Sequence, residues 1–168
     1  MSDVVRCTFT RYTVIRNLKF GEINMVRKAE KNDISVIADL AVLLWSGHSA
    51  GDLRNEFTEI LSNDSAQIFL KYENDIPVGF AQCQLRNDYV EGTETTPVGY
   101  LEGIFVKENC RGCGYAKELL EKCEKWAESK GCKEFASDCE TDNDFSFRFH
   151  KAMGFTEANR IICFTKKL

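Results

Sequence analysis

Apolar positions along the chain change period several times, and each change marks a new element. Ile34, Ile37, Ala38, Ala41, Leu44 and Trp45 recur at helical spacing, and Leu53, Phe57, Ile60 and Leu61 form a second such stripe. Ile23 to Lys28 reads as a strand ahead of them, and Asn32 or Asp33 stands where the first helix wants a capping side chain. Gln67 to Tyr72 and Pro77 to Leu85 flank Glu73-Asn74-Asp75, a hairpin signal, and Arg86 to Pro97 is a polar loop. Tyr100 to Val106 opens the next strand. A helix from Tyr115 to about Lys130 buries Ala116, Leu119, Leu120, Cys123 and Ala127. Lys133 to Glu140 alternates between small or apolar and acidic residues, as a strand would. A short helix then runs from Asp144 to Met153, Gly154 ends it, and Arg160 to Thr165 is expected to close the sheet as a last strand. The order predicts an α/β plan with a mixed sheet.

The 168 residues suffice for one domain with a proper core and fall short of two. Residues 23–168 are taken as that domain. Residues 1–22 precede it as an extension of unknown role, in which Val5, Cys7 and Phe9 alternate like a strand, and an edge strand or a tail are both open. No apolar run approaches the length of about 20 residues that a membrane span needs, and Met1 to Phe20 lacks a signal peptide's apolar core, so a cytoplasmic location is expected. Eight cysteines are then read as reduced thiols. Cys110 and Cys113 have the spacing of half a zinc or redox site, but no second Cys-x-x-Cys pair exists, and no metal is expected. A net charge of −4 gives nucleic acid little electrostatic hold and suits an amine-rich ligand.

The richest stretch is Tyr100 to Ala116, where a strand meets Cys110-Arg111-Gly112-Cys113-Gly114-Tyr115-Ala116 and then an amphipathic helix. The first N–H groups of a helix lack intrahelical acceptors and sit at the positive end of its dipole, so they can hold a pyrophosphate, and glycines let it come close. A two-glycine loop alone is a weak signal. Downstream, however, Asn143, Ser146, His150, Gly154 and Phe155 complete a pattern of Arg-x-x-Gly-x-Ala followed by Asn-x-x-Ser-x-x-x-His-x-x-x-Gly-Phe. Together the two motifs resemble the GNAT superfamily of acetyl-CoA-dependent N-acetyltransferases. Trp45-Ser-Gly-His48, Asp88-Tyr89-Val90, Leu101-Glu102-Gly103-Ile104, Ala136-Ser137-Asp138 and Phe149 to Phe155 narrow the resemblance to the aminoglycoside 6'-N-acetyltransferases, over roughly Asn24 to the C-terminus.

The resemblance implies a mostly antiparallel central sheet flanked by helices, with a splayed parallel strand pair holding acetyl-CoA. It implies that the pantetheine arm lies along Ile104, Phe105 and Val106, that Arg111, Gly112, Cys113, Gly114, Tyr115, Ala116 and Lys117 cradle the pyrophosphate, and that Asn143 contacts the cofactor. Asn143 can equally cap its helix. Glu102 has the strand parity of Ile104 and Val106, which sets its carboxylate beside the cofactor track. The resemblance makes it a contact to the aminoglycoside and an acceptor of the amine proton, directly or through water. An exposed carboxylate at a strand start is the plainer alternative. Asp138 is assigned to substrate amines, whereas Glu140, Asp142 and Asp144 read as a solvated acidic rim. His150 stands where many members carry the tyrosine that protonates the departing thiolate, a role a histidine can also fill. Trp45, His48 and Tyr89 become candidate walls for the sugar, though core packing explains each one singly. Asn159 falls where close relatives have an acid, which puts one amine contact in doubt. A homodimer is also implied. Rival readings are a GNAT enzyme acting on polyamines or protein lysines, and a non-catalytic acetyl-CoA-binding module.

Overall fold

The computed structural model describes residues 25–168, so the extension at 1–22 lies outside the described residues. Five strands form one sheet in the order β1 (Met25–Lys28), β2 (Ala66–Glu73), β3 (Ile76–Arg86), β4 (Val98–Val106) and β5 (Phe135–Ser137). All neighbours are antiparallel except β4 and β5, which are parallel. Helices α1 (Ile34–Leu44) and α2 (Ala50–Ile60) precede β2, α3 (Tyr115–Ser129) connects β4 to β5, and α4 (Asp144–Ala152) follows. This is the mixed, mostly antiparallel plan that the sequence predicts.

Alternation along the strands divides the core into two layers. On one face Ile68, Leu70 and Phe80 pack against Ile37, Ala38, Leu40 and Ala41 of α1 and Leu53 and Phe57 of α2. On the other, Phe69, Ala81, Cys83 and Leu101 meet Leu119, Leu120, Cys123 and Trp126 of α3, with Phe149 of α4 and Met153 just past its end at the margin. The β2–β3 hairpin turns on Asn74 and Asp75, with φ of 50° and 63°, the left-handed pair that a two-residue turn between twisted strands requires.

Three expectations change. Asp33 precedes α1, but its side chain makes no cap to that helix: it binds the Arg27 guanidinium at 2.7 Å and the Glu30 N–H at 2.8 Å. A charge-assisted pair outweighs a single cap bond. The strand expected over Lys133 to Glu140 contracts to Phe135–Ser137, because the Glu134 carboxylate turns to the backbone N–H groups of Glu94 and Thr95 and Asp138 to Glu140 lie exposed. The strand expected over Arg160 to Thr165 does not form. Ile161, Ile162 and Phe164 face solvent, since a strand needs a paired edge and no edge among the described residues takes this one.

Candidate active site

Strands β4 and β5 pair at only three positions, Gly99 with Phe135, Tyr100 with Ala136 and Leu101 with Ser137. Past that point β5 ends while β4 runs on to Val106. The backbone edge of residues 102–106 therefore has no strand beside it among the described residues. A splayed pair of this kind leaves room for an extended chain to lie along β4 and use its hydrogen-bonding groups.

The register between β3 and β4 slips at the same place. Leu101 opposes Cys83 and Gly103 opposes Gln82, which makes Glu102 the extra residue of a β-bulge. The bulge overturns the parity argument made from sequence. Ile104 and Val106 join Leu101 in the α3 layer and Phe105 joins the α1/α2 layer, whereas the Glu102 carboxylate bonds Gln84 and Arg86, which lie opposite the α3 layer. Period-two reasoning fails wherever a strand carries an odd insertion.

Glu102 sits in a polar cluster that the bulge assembles. Its Oε1 accepts from Gln84 Nε2 at 2.5 Å and from Arg86 Nη2 at 2.8 Å and Nε at 3.2 Å. The Arg86 guanidinium lies 3.3 Å above the Tyr100 ring. Burial first, and then the adjacent Asp138 carboxylate, push the Tyr100 hydroxyl up to about 12, so it stays a donor at any working pH. Arg86 and Tyr100 were missed from the sequence; Tyr100 pairs with Gln84 across the sheet, but nothing local marks either residue. A cleft of about 450 Å³ opens beside them, lined by Asn63, Ser65, Gln84, Arg86, Asp88 and Tyr89.

The candidate sugar walls divide. Trp45 is half-buried between Phe57 and Phe80, with ring centroids 6.5 and 5.8 Å away, and its indole covers Gly103. It is a packing residue that also roofs the bulge. His48 is exposed and donates its backbone N–H to Trp45 O at 3.1 Å. Tyr89 is exposed, and its hydroxyl donates to Glu91 at 2.9 Å; the Asn159 amide reaches the same carboxylate at 3.3 Å. Glu91 thus gathers two predicted residues around an acid that sequence reasoning passed over.

The loop ahead of α3 has the form of a cradle. Gly112 and Gly114 take φ of 77° and 83°, and a Cβ on either would meet nothing within 4 Å, so their faces are open rather than packed. Among the described residues, none accepts from the backbone N–H groups of residues 112–117. Arg111 Nε donates to Val106 O at 3.1 Å and its guanidinium lies 5.2 Å over Phe145, which ties the loop to the end of β4 and to α4. Tyr115 is buried with its hydroxyl on Glu73 at 2.5 Å, so its ring anchors the loop from inside. Cys113 and Lys117 are exposed and Ala116 is half-buried against the α3 layer. These residues fit a pyrophosphate, and the free β4 edge fits the arm attached to it. Asn143 Oδ1 caps α4 by accepting from Ser146 N at 3.0 Å. Among the described residues no group of three or more metal-ligating side chains gathers, and no helix is long and apolar enough to cross a membrane.

His150 is aimed at the point where β4 and β5 part. Its Nδ1 lies 2.8 Å from Ser146 O, which makes that nitrogen the donor, and Nε2 lies 2.9 Å from Ser137 Oγ. Ser137 is the last residue of β5, and its hydroxyl is also 3.2 Å from Leu101 O. Phe149 and Phe155 close on the imidazole edgewise.

Comparison with known proteins accounts for this arrangement. The model of the acetyltransferase (GNAT) family matches residues 36–155. The aminoglycoside N(6')-acetyltransferase type 1 of Salmonella enteritidis is 36% identical over 142 residues, 84% of this chain and 98% of that one. The solved structure of the aminoglycoside N-acetyltransferase AAC(6')-Iy in complex with CoA superposes with a TM-score of 0.86 at 34% identity, covering 90% of this chain and 100% of that one. A second AAC(6')-Iy structure, in complex with the bisubstrate analogue CoA-S-monomethyl-acetylneamine, gives 0.82 at 35% identity over 86% and 98%. The chain belongs to the acetyltransferase (GNAT) family, on the branch of the aminoglycoside N(6')-acetyltransferases.

Proposed function

We propose that the chain transfers the acetyl group of acetyl-CoA to the 6'-amine of aminoglycosides by direct attack within a ternary complex, and so confers resistance to them. The observation that carries this reading is the bulge at Glu102, which turns a carboxylate to the opposite side of the sheet from Ile104 and Val106, at the start of the unpaired β4 edge. Acetyl-CoA supplies an activated thioester, and the protein supplies position and charge. Relatives on the same branch are named for this activity, and one was captured with CoA joined to acetylneamine.

In this reading the cradle of Arg111 to Lys117 holds the pyrophosphate through backbone N–H groups, and residues 104–106 hold the extended arm. Asn143 acts by capping α4 and so fixing the His150 helix. Glu102 and Asp138 hold the substrate amines, and Glu102 takes the proton from the attacking amine directly or through water. His150, with Ser137, stands by the parted strands to return a proton to the sulfur. Trp45, His48 and Tyr89 border the sugar, and Asn159 sits at its outer rim beside Glu91. Acylation turns a cation into a neutral amide and removes a charge-assisted contact from the drug.

Residues 23–168 act as one catalytic domain. The exposed Ile161, Ile162 and Phe164 support a homodimer built through the C-terminal segment, and the need for acetyl-CoA supports a cytoplasmic location. The test is thiol release from acetyl-CoA with kanamycin-type substrates beside spermidine and a lysine peptide, with the acetylated nitrogen located by NMR. Turnover at the 6'-amine that collapses in Glu102→Gln is expected. Turnover confined to spermidine or peptide would overturn the substrate, and an undiminished Glu102→Gln enzyme would overturn the role of the carboxylate.

A further inference from the structure

The cluster around Glu102 holds a contradiction for a site that takes cations: it already contains one. Arg86 is a guanidinium cation, and it lies in hydrogen-bond contact with the carboxylate that the substrate amine is meant to use. It is also held from below by the Tyr100 ring. Its side chain retains 36% of its exposure and lines the cleft together with Gln84, Asp88 and Tyr89. A guanidinium so placed repels any ammonium that enters.

The contacts are one-sided. All three hydrogen bonds fall on Oε1 of Glu102, and Oε2 accepts none among the described residues. An amine can therefore approach Oε2 without displacing Arg86, but it does so beside a positive charge. The attraction of Glu102 is largely cancelled at that distance, and the balance must come from elsewhere. Asp138, exposed at the end of β5, and Asp88 and Glu91 on the loop after β3 are the acids within the same region. A ligand with several well-separated cations reaches them, whereas a ligand with one cation does not.

We infer that Arg86 is a specificity-determining residue, a built-in counter-ion on Glu102 that refuses amines lacking further positive charges and so restricts the site to polycations. The inference rests on the aminoglycoside reading and deepens it. Discrimination here comes from a repulsive element as much as from attraction. Gln84, whose amide holds the same Oε1, keeps the carboxylate in place when the guanidinium is removed.

The experiment compares kcat/KM for a kanamycin-type polycation and for 6-amino-6-deoxyglucose, a monoamine bearing the same kind of primary amine on a hexose. Wild type, Arg86→Gln and Arg86→Lys are assayed at fixed ionic strength. In Arg86→Gln the preference for the polycation should shrink by about tenfold or more, through a lower KM for the monoamine, while Arg86→Lys, which keeps the charge, should retain most of it. Near-ultraviolet circular dichroism and the KM for acetyl-CoA report the fold; if Arg86→Gln is unfolded, Arg86→Met, whose stem still covers Tyr100, is read in its place. An unchanged preference, or a fall in kcat shared by both substrates with KM constant, would overturn the inference and leave Arg86 as a support for Glu102. A wild-type enzyme that acetylates no aminoglycoside would instead overturn the proposed function, before any variant is compared.

Discussion

Trp45 covers Gly103 so closely that a Cβ added to the glycine would lie 2.6 Å from the indole Cζ2 and 3.0 Å from Cη2. The indole cannot retreat, because Phe57 and Phe80 back it at 6.5 and 5.8 Å between ring centroids. Gly103 follows the bulge residue, so this contact sets how far β4 can bend at Glu102. Gly103→Ala should therefore cost about 1–3 kcal/mol of stability by overpacking and also disturb the site. Thermal melting should show a lower midpoint, and steady-state kinetics a KM for aminoglycoside that rises more than the KM for acetyl-CoA. Equal changes in both would mean that the bulge is indifferent to its roof.

The one hydroxyl hydrogen of Ser137 has two close acceptors, His150 Nε2 and Leu101 O. With Nδ1–H on Ser146 O, a neutral imidazole takes the Ser137 proton at Nε2 and leaves Leu101 O without it. A protonated imidazole donates to Ser137 Oγ and frees the hydroxyl to donate to Leu101 O. Protonation of His150 is thus felt on β4 itself, at the residue before the bulge. His150→Phe and Ser137→Ala should each lower kcat by about tenfold to a hundredfold, and the double variant should fall little further, since the two act as one path. The check is a double-mutant cycle on kcat at saturating acetyl-CoA and aminoglycoside. Additive losses would separate the two residues.

Much of this fold could be read from hydrophobic period. The stripes at Ile34 to Trp45 and Ala116 to Ala127 became α1 and α3, and the turn signal at Asn74-Asp75 became the hairpin. What escaped has identifiable causes. The side to which Glu102 points depends on an extra residue in β4, and a one-residue slip in pairing leaves no local mark in composition. Arg86 and Tyr100 meet Glu102 only through β3–β4 register, so their adjacency is a long-range fact. Glu91 binds its near neighbour Tyr89 and also, across 68 positions of sequence, Asn159. The segment Arg160 to Thr165 has a strand's apolar content yet finds no partner among the described residues, because strand propensity requires an edge to satisfy it.

Asp33 gives the molecule a measurable acid sensitivity. Hydrogen bonding to Arg27 holds its carboxyl below the ordinary value of 3.8, with the Glu30 N–H adding to the effect, and Arg27 is itself held at the end of β1 by Tyr72. A folded value below the unfolded one means that the pair stabilises fully above about pH 4 and that the contribution is lost as pH falls through the depressed value. Asp33→Ala should cost about 2 kcal/mol near neutrality, the range of hydrogen bonds to charged groups. Urea titrations of wild type and variant should then converge as pH falls through the depressed Asp33 value. A constant gap down to the acid limit would assign the loss to packing rather than to the ion pair.

The cradle makes the last test, because its anchor lies away from the substrate. Tyr115 opens α3, its hydroxyl is held by Glu73 at 2.5 Å, and that acceptor together with burial raises the hydroxyl well above its usual range, keeping it a donor. Lys71, with only 1% of its side chain exposed, lies 4.3 Å from the same ring and pairs with Glu118 of α3 at 2.6 Å. The end of β2 thereby fixes the direction of the first turn of α3, and with it the N–H groups offered to the pyrophosphate. Tyr115→Phe removes one charge-assisted hydrogen bond and no packing, a loss of about 1–2 kcal/mol that appears in stability and, where it loosens the cradle, in cofactor affinity. The expected signature is a KM for acetyl-CoA raised about fivefold to tenfold, with kcat at saturating acetyl-CoA and the KM for aminoglycoside little changed. Lys71→Met should act in the same direction without touching the hydroxyl. If both variants lower the melting temperature and leave acetyl-CoA binding by calorimetry unaltered, the network serves the fold alone, and the cradle owes its shape to Gly112 and Gly114.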